Sequence, residues 1–288
     1  MSRRSLAELL VLQLLLVALL ALFFYKPGGT AAGTPDLREV PRLFVEAVYH
    51  LNSSSTMLRN PARWNADFRS MSANASRIAG EIASYRNALS EMDPSDLVLR
   101  LLSASDSYGR MANASSSIYA ALDVLSGSKE SIQRYLAALE ECNAAEAHRL
   151  GLSIAGNLSR AYSLVGLAAG NLSLADPSTL LSQSHVDAHR NASEAVDAAQ
   201  RYLKQLLLAV DITSKHPEEL DALCKARKAG RSIAVSEQLA RSLGALNPPD
   251  AGPFSYAVSR LKSLLYAVAN AQQGGGSGAG YGAPSSDD

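Results

Sequence analysis

The sequence predicts an all-α chain: one membrane-spanning helix at the N-terminus, then an extracytoplasmic bundle of long antiparallel helices. Three observations predict it. Apolar residues make up 47% of the 288 residues while aromatics are only 6%, and Ala and Leu supply most of the apolar share, which favours helix over strand. Leu6–Tyr25 is an apolar run broken only by Glu8 and Gln13. The remainder repeats apolar residues at alternating steps of three and four, between Pro- and Gly-marked breaks.

The apolar run comes first in the chain. Twenty residues at 1.5 Å each give roughly 30 Å of helix, about one bilayer core. Arg3 and Arg4 precede it and Lys26 follows it. The positive-inside rule therefore leaves residues 1–5 in the cytoplasm, makes 6–25 a transmembrane signal-anchor and exports the rest. Phe23, Phe24 and Tyr25 fall at the outer interface. A cleaved signal peptide is the alternative, but it has a shorter apolar core and a small-residue site close behind. Here the nearest such site is Thr30–Ala32. A twin-arginine signal and a pilin-type leader are further alternatives, and each of them also places the body of the chain outside. The expected location is the cell membrane, single-pass, with the N-terminus cytoplasmic.

Residues 26–35 read as a linker and 36–272 as the helical ectodomain. Helices are predicted at about 36–57, 62–91, 94–126, 129–174, 177–213, 217–245 and 253–272. Asp93-Pro94 and Asp176-Pro177 are starts with Asp as cap and Pro in the first turn. Ser126–Lys129 (SGSK) reads as a break, and the glycines of 129–174 as a place to kink or split. From Leu181 the seam runs His185, Ala188, Ala192, Ala195, Ala199, Tyr202, Leu206 and Ala209. Such an Ala-rich heptad seam lets helices approach closely. The Gly/Ser-rich tail 273–288 is expected to stay unfolded.

Part of the ectodomain repeats. Asn74–Leu97 and Asn157–Leu180, offset by 83 residues, share nine of 24 positions, among them the Asp-Pro-Ser that ends each stretch's helix. With weaker echoes on either side, the chain reads as two to three units of about 80 residues, near 74–150 and 157–245. That length exceeds the common solenoid repeats and suits pairs of long helices.

Asn52, Asn74, Asn113, Asn157, Asn171 and Asn191 stand in Asn-x-Ser sequons, six of the chain's twelve asparagines. On an exported chain they are expected to carry N-linked glycans. Cys142 and Cys224, the only two cysteines, lie 82 residues apart, close to one repeat length. Outside the cell they are expected to form a disulfide, worth about 4–5 kcal/mol in the chain-entropy model. The competing reading is two buried thiols.

Candidate chemistry is sparse. His185 and His189 are four apart on a helix, the spacing of two ligands on one metal ion, but Asp187 is off their face and no HExxH accompanies them. They are weak metal candidates, and no metal or other cofactor is expected. Lys225–Arg231 (KARKAGR) is a short basic run best read as a solvated helix face. The tyrosines 85, 108, 119, 135, 162 and 202 read as core or interface side chains. A formal net charge of zero argues against a nucleic-acid partner.

The expected function is therefore non-enzymatic: an anchored, glycosylated cell-surface helical protein with a structural or protein-interaction role, its partners the membrane through 6–25 and an unknown protein or a second copy of itself. One alternative is an extracytoplasmic ligand-binding or sensory module acting through a partner, which needs a polar pocket between helices. Another is a filament or envelope-layer subunit.

Overall fold

A computed structural model of the chain describes residues 39–231 and 233–247, together with 259, 262 and 263. The apolar run Leu6–Tyr25, the linker, the tail 273–288 and nearly all of the expected helix 253–272 lie outside these residues. Among the described residues there is no strand, and no helix is long and apolar enough to cross a membrane.

Among the described residues up to 247, seven α-helices succeed one another: α1 Val40–Arg59, α2 Phe68–Ser90, α3 Asp96–Glu140, α4 Ala144–Leu174, α5 Gln183–Lys215, α6 Pro217–Lys228 and α7 Glu237–Gly244. Short side chains set several of the boundaries. Asp67 caps α2, accepting the Ser70 N–H at 3.1 Å. Ser95 takes the Val98 N–H at 3.3 Å and Ser182 the His185 N–H at 3.3 Å, which is the side chain-to-N3 geometry of an N-cap. In the two Asp-Pro-Ser stretches the proline therefore does not begin the long helix. Ser95 starts α3, while Asp176-Pro177 opens a single 3₁₀ turn, Pro177–Thr179, ahead of α5.

Two further boundaries differ from expectation. Residues 126–129 do not break the chain, and α3 runs through them. The Ser126 hydroxyl donates to the Asp123 carbonyl and that of Ser128 to the Val124 carbonyl, so each polar side chain is satisfied by its own helix. Leu125 and Ile132 are buried on either side. The real interruption comes at residues 141–143, between α3 and α4. Asn143 N–H bonds the Ala138 carbonyl and Cys142 N–H the Leu139 carbonyl, the paired bonds of a Schellman ending. Cys142 occupies the left-handed position with φ 57°, a place usually held by glycine. The second such ending splits the expected 217–245 helix: Gly230 has φ 65°, and the Arg231 N–H bonds the Ala226 carbonyl.

The helices divide into two compact units. The first comprises residues up to Thr56, Asp67–Tyr119 and Leu167–Ala195; the second Met57–Ala66, Ala120–Gly166 and residues from Val196 on. α3, α4 and α5 each contribute one part to either unit. Within the first, Phe44 stacks on Tyr108 at 4.1 Å and Tyr119 donates to the His50 carbonyl at 3.2 Å, so α1 and α3 run the same way. α2 runs opposite to α3, with Ser72 beside Ser116 and Arg86 beside Asp106. Within the second, Asn157 meets Ser128 and Gly151 meets Tyr135, while His148 meets Thr213 and Gly166 meets Gln200. α4 is therefore antiparallel to both α3 and α5.

The core of each unit is built from the expected alternation. Ala188, Ala192, Ala195, Leu206 and Ala209 of the α5 seam are buried, with Leu203 and Val210 beside them; Ala199 and Tyr202 are half-buried. Tyr108, Tyr119 and Tyr135, all on α3, are the three largest fully buried side chains. An aromatic ring with one polar end fits a core of small residues when its hydroxyl finds a partner. Each of these three does.

Candidate functional site

A part-buried polar cluster in the first unit centres on Tyr108 and its neighbour Ser107. Its hydroxyl accepts the Leu181 N–H at 3.0 Å and has one proton left, which goes to Nδ1 of His185. The neighbouring Ser107 accepts the Asp176 N–H at 3.0 Å and stands 2.8 Å from Oγ1 of Thr179. Two adjacent α3 side chains thus hold the Asp176–Ser182 connection. Burial pushes the Tyr108 phenol up to about 12, against the opposing Leu181 bond. Burial also lowers the pKa of His185. Desolvation favours the neutral form of both groups, and with the phenol as donor the imidazole carries its proton on Nε2.

The candidate metal pair is engaged in the fold. His185 accepts from Tyr108, and His189 donates Nε2–H to the Leu172 carbonyl at 2.9 Å. Each imidazole spends a ring nitrogen on the protein, tying α5 to α3 and to the end of α4. Among the described residues no group of three or more His, Cys, Asp or Glu side chains stands close enough to share a metal ion.

The second unit carries two polar clusters that sequence reasoning did not find. The first surrounds Thr213, whose hydroxyl donates to the Val210 carbonyl at 3.0 Å and accepts from Tyr135 at 3.2 Å, while its own carbonyl receives Nδ1–H of His148 at 3.1 Å. Burial raises the Tyr135 pKa strongly. The second is centred on Glu219. One carboxylate oxygen faces Nδ1 of His216 at 3.1 Å and the Ser236 hydroxyl at 3.0 Å, and the other accepts the Ser236 N–H at 2.8 Å. The Ser236 N–H bond is the main reason the Glu219 carboxyl is held below the usual range. His216 precedes Pro217 at the start of α6 and Ser236 caps α7, so one carboxylate joins two helix starts. His216 three residues before Glu219 has the spacing of a capping box with His in place of the usual Ser or Thr; the link from Glu219 to Ser236, 17 residues away, is not local.

Cys142 and Cys224 are joined, with Cα atoms 5.5 Å apart. The bridge ties the α3–α4 turn to α6. In the basic run, Lys225 pairs with Asp221 on the same helix, and Lys228 and Arg231 are exposed.

All six sequon asparagines lie inside helices: Asn52 on α1, Asn74 on α2, Asn113 on α3, Asn157 and Asn171 on α4, and Asn191 on α5. Five are exposed and Asn171 is half-buried. Asn157 donates its amide to Ser128 at 2.8 Å and Asn171 to the Leu167 carbonyl at 3.0 Å. The large exposed apolar side chains are Val45 and Tyr49 on α1, Leu99 on α3, and Leu152, Leu167 and Leu174 on α4.

The chain matches no family model, and it matches neither a curated protein nor a solved structure.

Proposed function

We propose that the chain is a membrane-anchored, N-glycosylated surface protein whose helical ectodomain serves a structural or protein-interaction role without catalysing a reaction. The observation that carries this reading is the pairing of a 20-residue apolar run behind Arg3 and Arg4 with six sequon asparagines, five of them exposed. A run of that length spans a bilayer, the charge bias exports the chain beyond it, and solvent-facing asparagines tolerate a glycan without disturbing the core. The Cys142–Cys224 bridge fits an oxidising compartment. In this reading the cytoplasmic part is residues 1–5, the anchor 6–25, and the ectodomain a duplicated helical unit of about 80 residues that presents its surface to a protein partner or to a second copy.

Intact-mass analysis of the chain purified from its host's membranes, with and without reduction, tests the proposal. A full-length mass with glycan increments, rising by two hydrogen atoms on reduction, is expected. A mass lacking the first thirty or so residues and free of glycan would remove both the anchor and the sugars. It would move the soluble ligand-binding reading to first place.

A further inference from the structure

We infer that glycan transfer to this chain precedes its folding: the folded bundle can carry N-linked glycans but cannot receive them. The inference rests on the glycosylation proposed for the ectodomain. Transfer joins the asparagine Nδ2 to the anomeric carbon of a lipid-phosphate-linked glycan. The bond from that carbon to the phosphate oxygen breaks, the lipid phosphate leaves as an anion, and the amide loses one proton to a base of the transferase. The acceptor motif requires a hydroxyl two residues after the asparagine, so the transferase must meet both side chains at one place.

The folded chain keeps them apart. At about 100° per residue, positions i and i+2 of an α-helix point roughly 160° away from each other. All six sequons lie within helices. Asn52 and Asn113 are exposed while their partners Ser54 and Ser115 are fully buried. Five of the six hydroxyls are also occupied. Ser54 donates to the Leu51 carbonyl at 3.1 Å, Ser115 to Met111 at 2.9 Å, Ser173 to Gly170 at 2.9 Å and Ser193 to His189 at 2.9 Å. Ser76 shares its proton with Ser116 on the neighbouring helix at 2.8 Å. For the five sequons other than that of Asn171, bringing asparagine and hydroxyl together means unwinding a packed helix in its interior, where opening costs approach those of global unfolding; Asn171 and Ser173 lie in the last turn of α4, and theirs is the sequon that opens at least cost. The same geometry explains how the product survives at Asn52, Asn74, Asn113 and Asn191, which are exposed; a glycan on Asn157 or Asn171 would displace the amide from Ser128 or from the Leu167 carbonyl.

The test uses full-length chain made in a host without the glycosylation machinery. One acceptor is the folded, oxidised protein. The other is the full chain with Tyr108→Asp and Tyr135→Asp, which puts carboxylates in the core of each unit and prevents folding; circular dichroism verifies both states. Each is incubated with an oligosaccharyltransferase and a lipid-phosphate-linked glycan, and intact mass counts the sugars added. The unfolded chain is expected to gain glycans at least tenfold faster than the folded one. Equal modification of both would overturn the inference while leaving the glycosylation reading in place. Modification of neither would overturn that reading, and the inference with it.

Discussion

The Tyr135 hydroxyl lies 3.2 Å from Oγ1 of Thr213, and both side chains are buried. The contact sits where α4 approaches most closely. A Cβ placed on Gly151 would come within 3.2 Å of Thr213 Oγ1 and 3.3 Å of the Tyr135 ring. Gly151→Ala is therefore expected to destabilise by roughly 1–3 kcal/mol through overpacking. Gly156→Ala, one turn later on the same helix with nothing within 4 Å of its Cβ, should stabilise by about 0.5–1 kcal/mol, since alanine is the better helix former. Tyr135→Phe removes one hydrogen bond but leaves Thr213 bonded to the Val210 carbonyl, and should cost about 1 kcal/mol. Urea unfolding of the three variants checks the order; equal effects at the two glycines would contradict the close approach.

The disulfide makes a second, separable claim. Cys142 holds the left-handed φ of a helix ending, at 57°, which costs an ordinary L-residue about 1 kcal/mol. Removing the bridge with Cys142→Ser and Cys224→Ser together should cost about 2–5 kcal/mol. The pair Cys142→Gly and Cys224→Ser loses the same bridge but relieves the backbone, and should be about 1 kcal/mol more stable than the serine pair. Denaturation midpoints that coincide for the two would mean the strain is absent without the bridge.

Glu219 joins two helix starts through Ser236, and Ser236→Ala deletes both the cap on the Leu239 N–H and the hydroxyl contact to Glu219. Loss of such a cap typically costs about 1 kcal/mol. Hydrogen exchange should show the consequence locally: amides of α7 exchange faster, while those of α2 and α5 are unchanged. The contact also has a pH signature. The depressed Glu219 pKa means its stabilisation is present above the ordinary carboxylate pKa near 4.5 and is lost as pH falls through the folded value. The variant should therefore lose part of the wild-type stability change in that acid range.

Much of this architecture was legible along the chain, and the exceptions share a cause. The α5 seam could be read because alanine at every third or fourth position leaves one face to bury. The cysteine pairing was readable because two cysteines allow one partner. Residues 126–129 misled because Ser and Gly mark breaks in isolated sequence, whereas here flanking Leu125 and Ile132 are buried and the serines bond back to their own helix. The opposite error occurred at Cys142, where a helix ends on a residue with no turn propensity of its own. The bond to Cys224 that accompanies the ending lies 82 residues away in sequence. The Tyr108–His185 and Tyr135–Thr213 contacts span 77 and 78 residues. Periodicity places such tyrosines in a core but says nothing about which hydroxyl or ring nitrogen they meet.

The Tyr108–His185 pair predicts how the protein responds to mild acid. Burial lowers the His185 pKa from 6.5, and its Nδ1 is bonded to the Tyr108 hydroxyl, so protonation puts a charge in a buried place and makes the Tyr108 hydroxyl turn its proton away. The unfolded chain binds that proton more readily than the folded one. The stability contributed by neutral His185 is therefore complete above about pH 6.5 and declines as pH falls below it toward the folded pKa. His50, lowered chiefly by burial as well, adds to the same decline. Replacing His185 with Gln keeps an acceptor for Tyr108 but removes the titration. Urea midpoints should fall between about pH 7.5 and about pH 5.5 for the wild-type chain, fall less for His185→Gln and less again when His50→Gln is added. An undiminished fall in His185→Gln would mean that the imidazole is not held neutral by its buried place beside Tyr108.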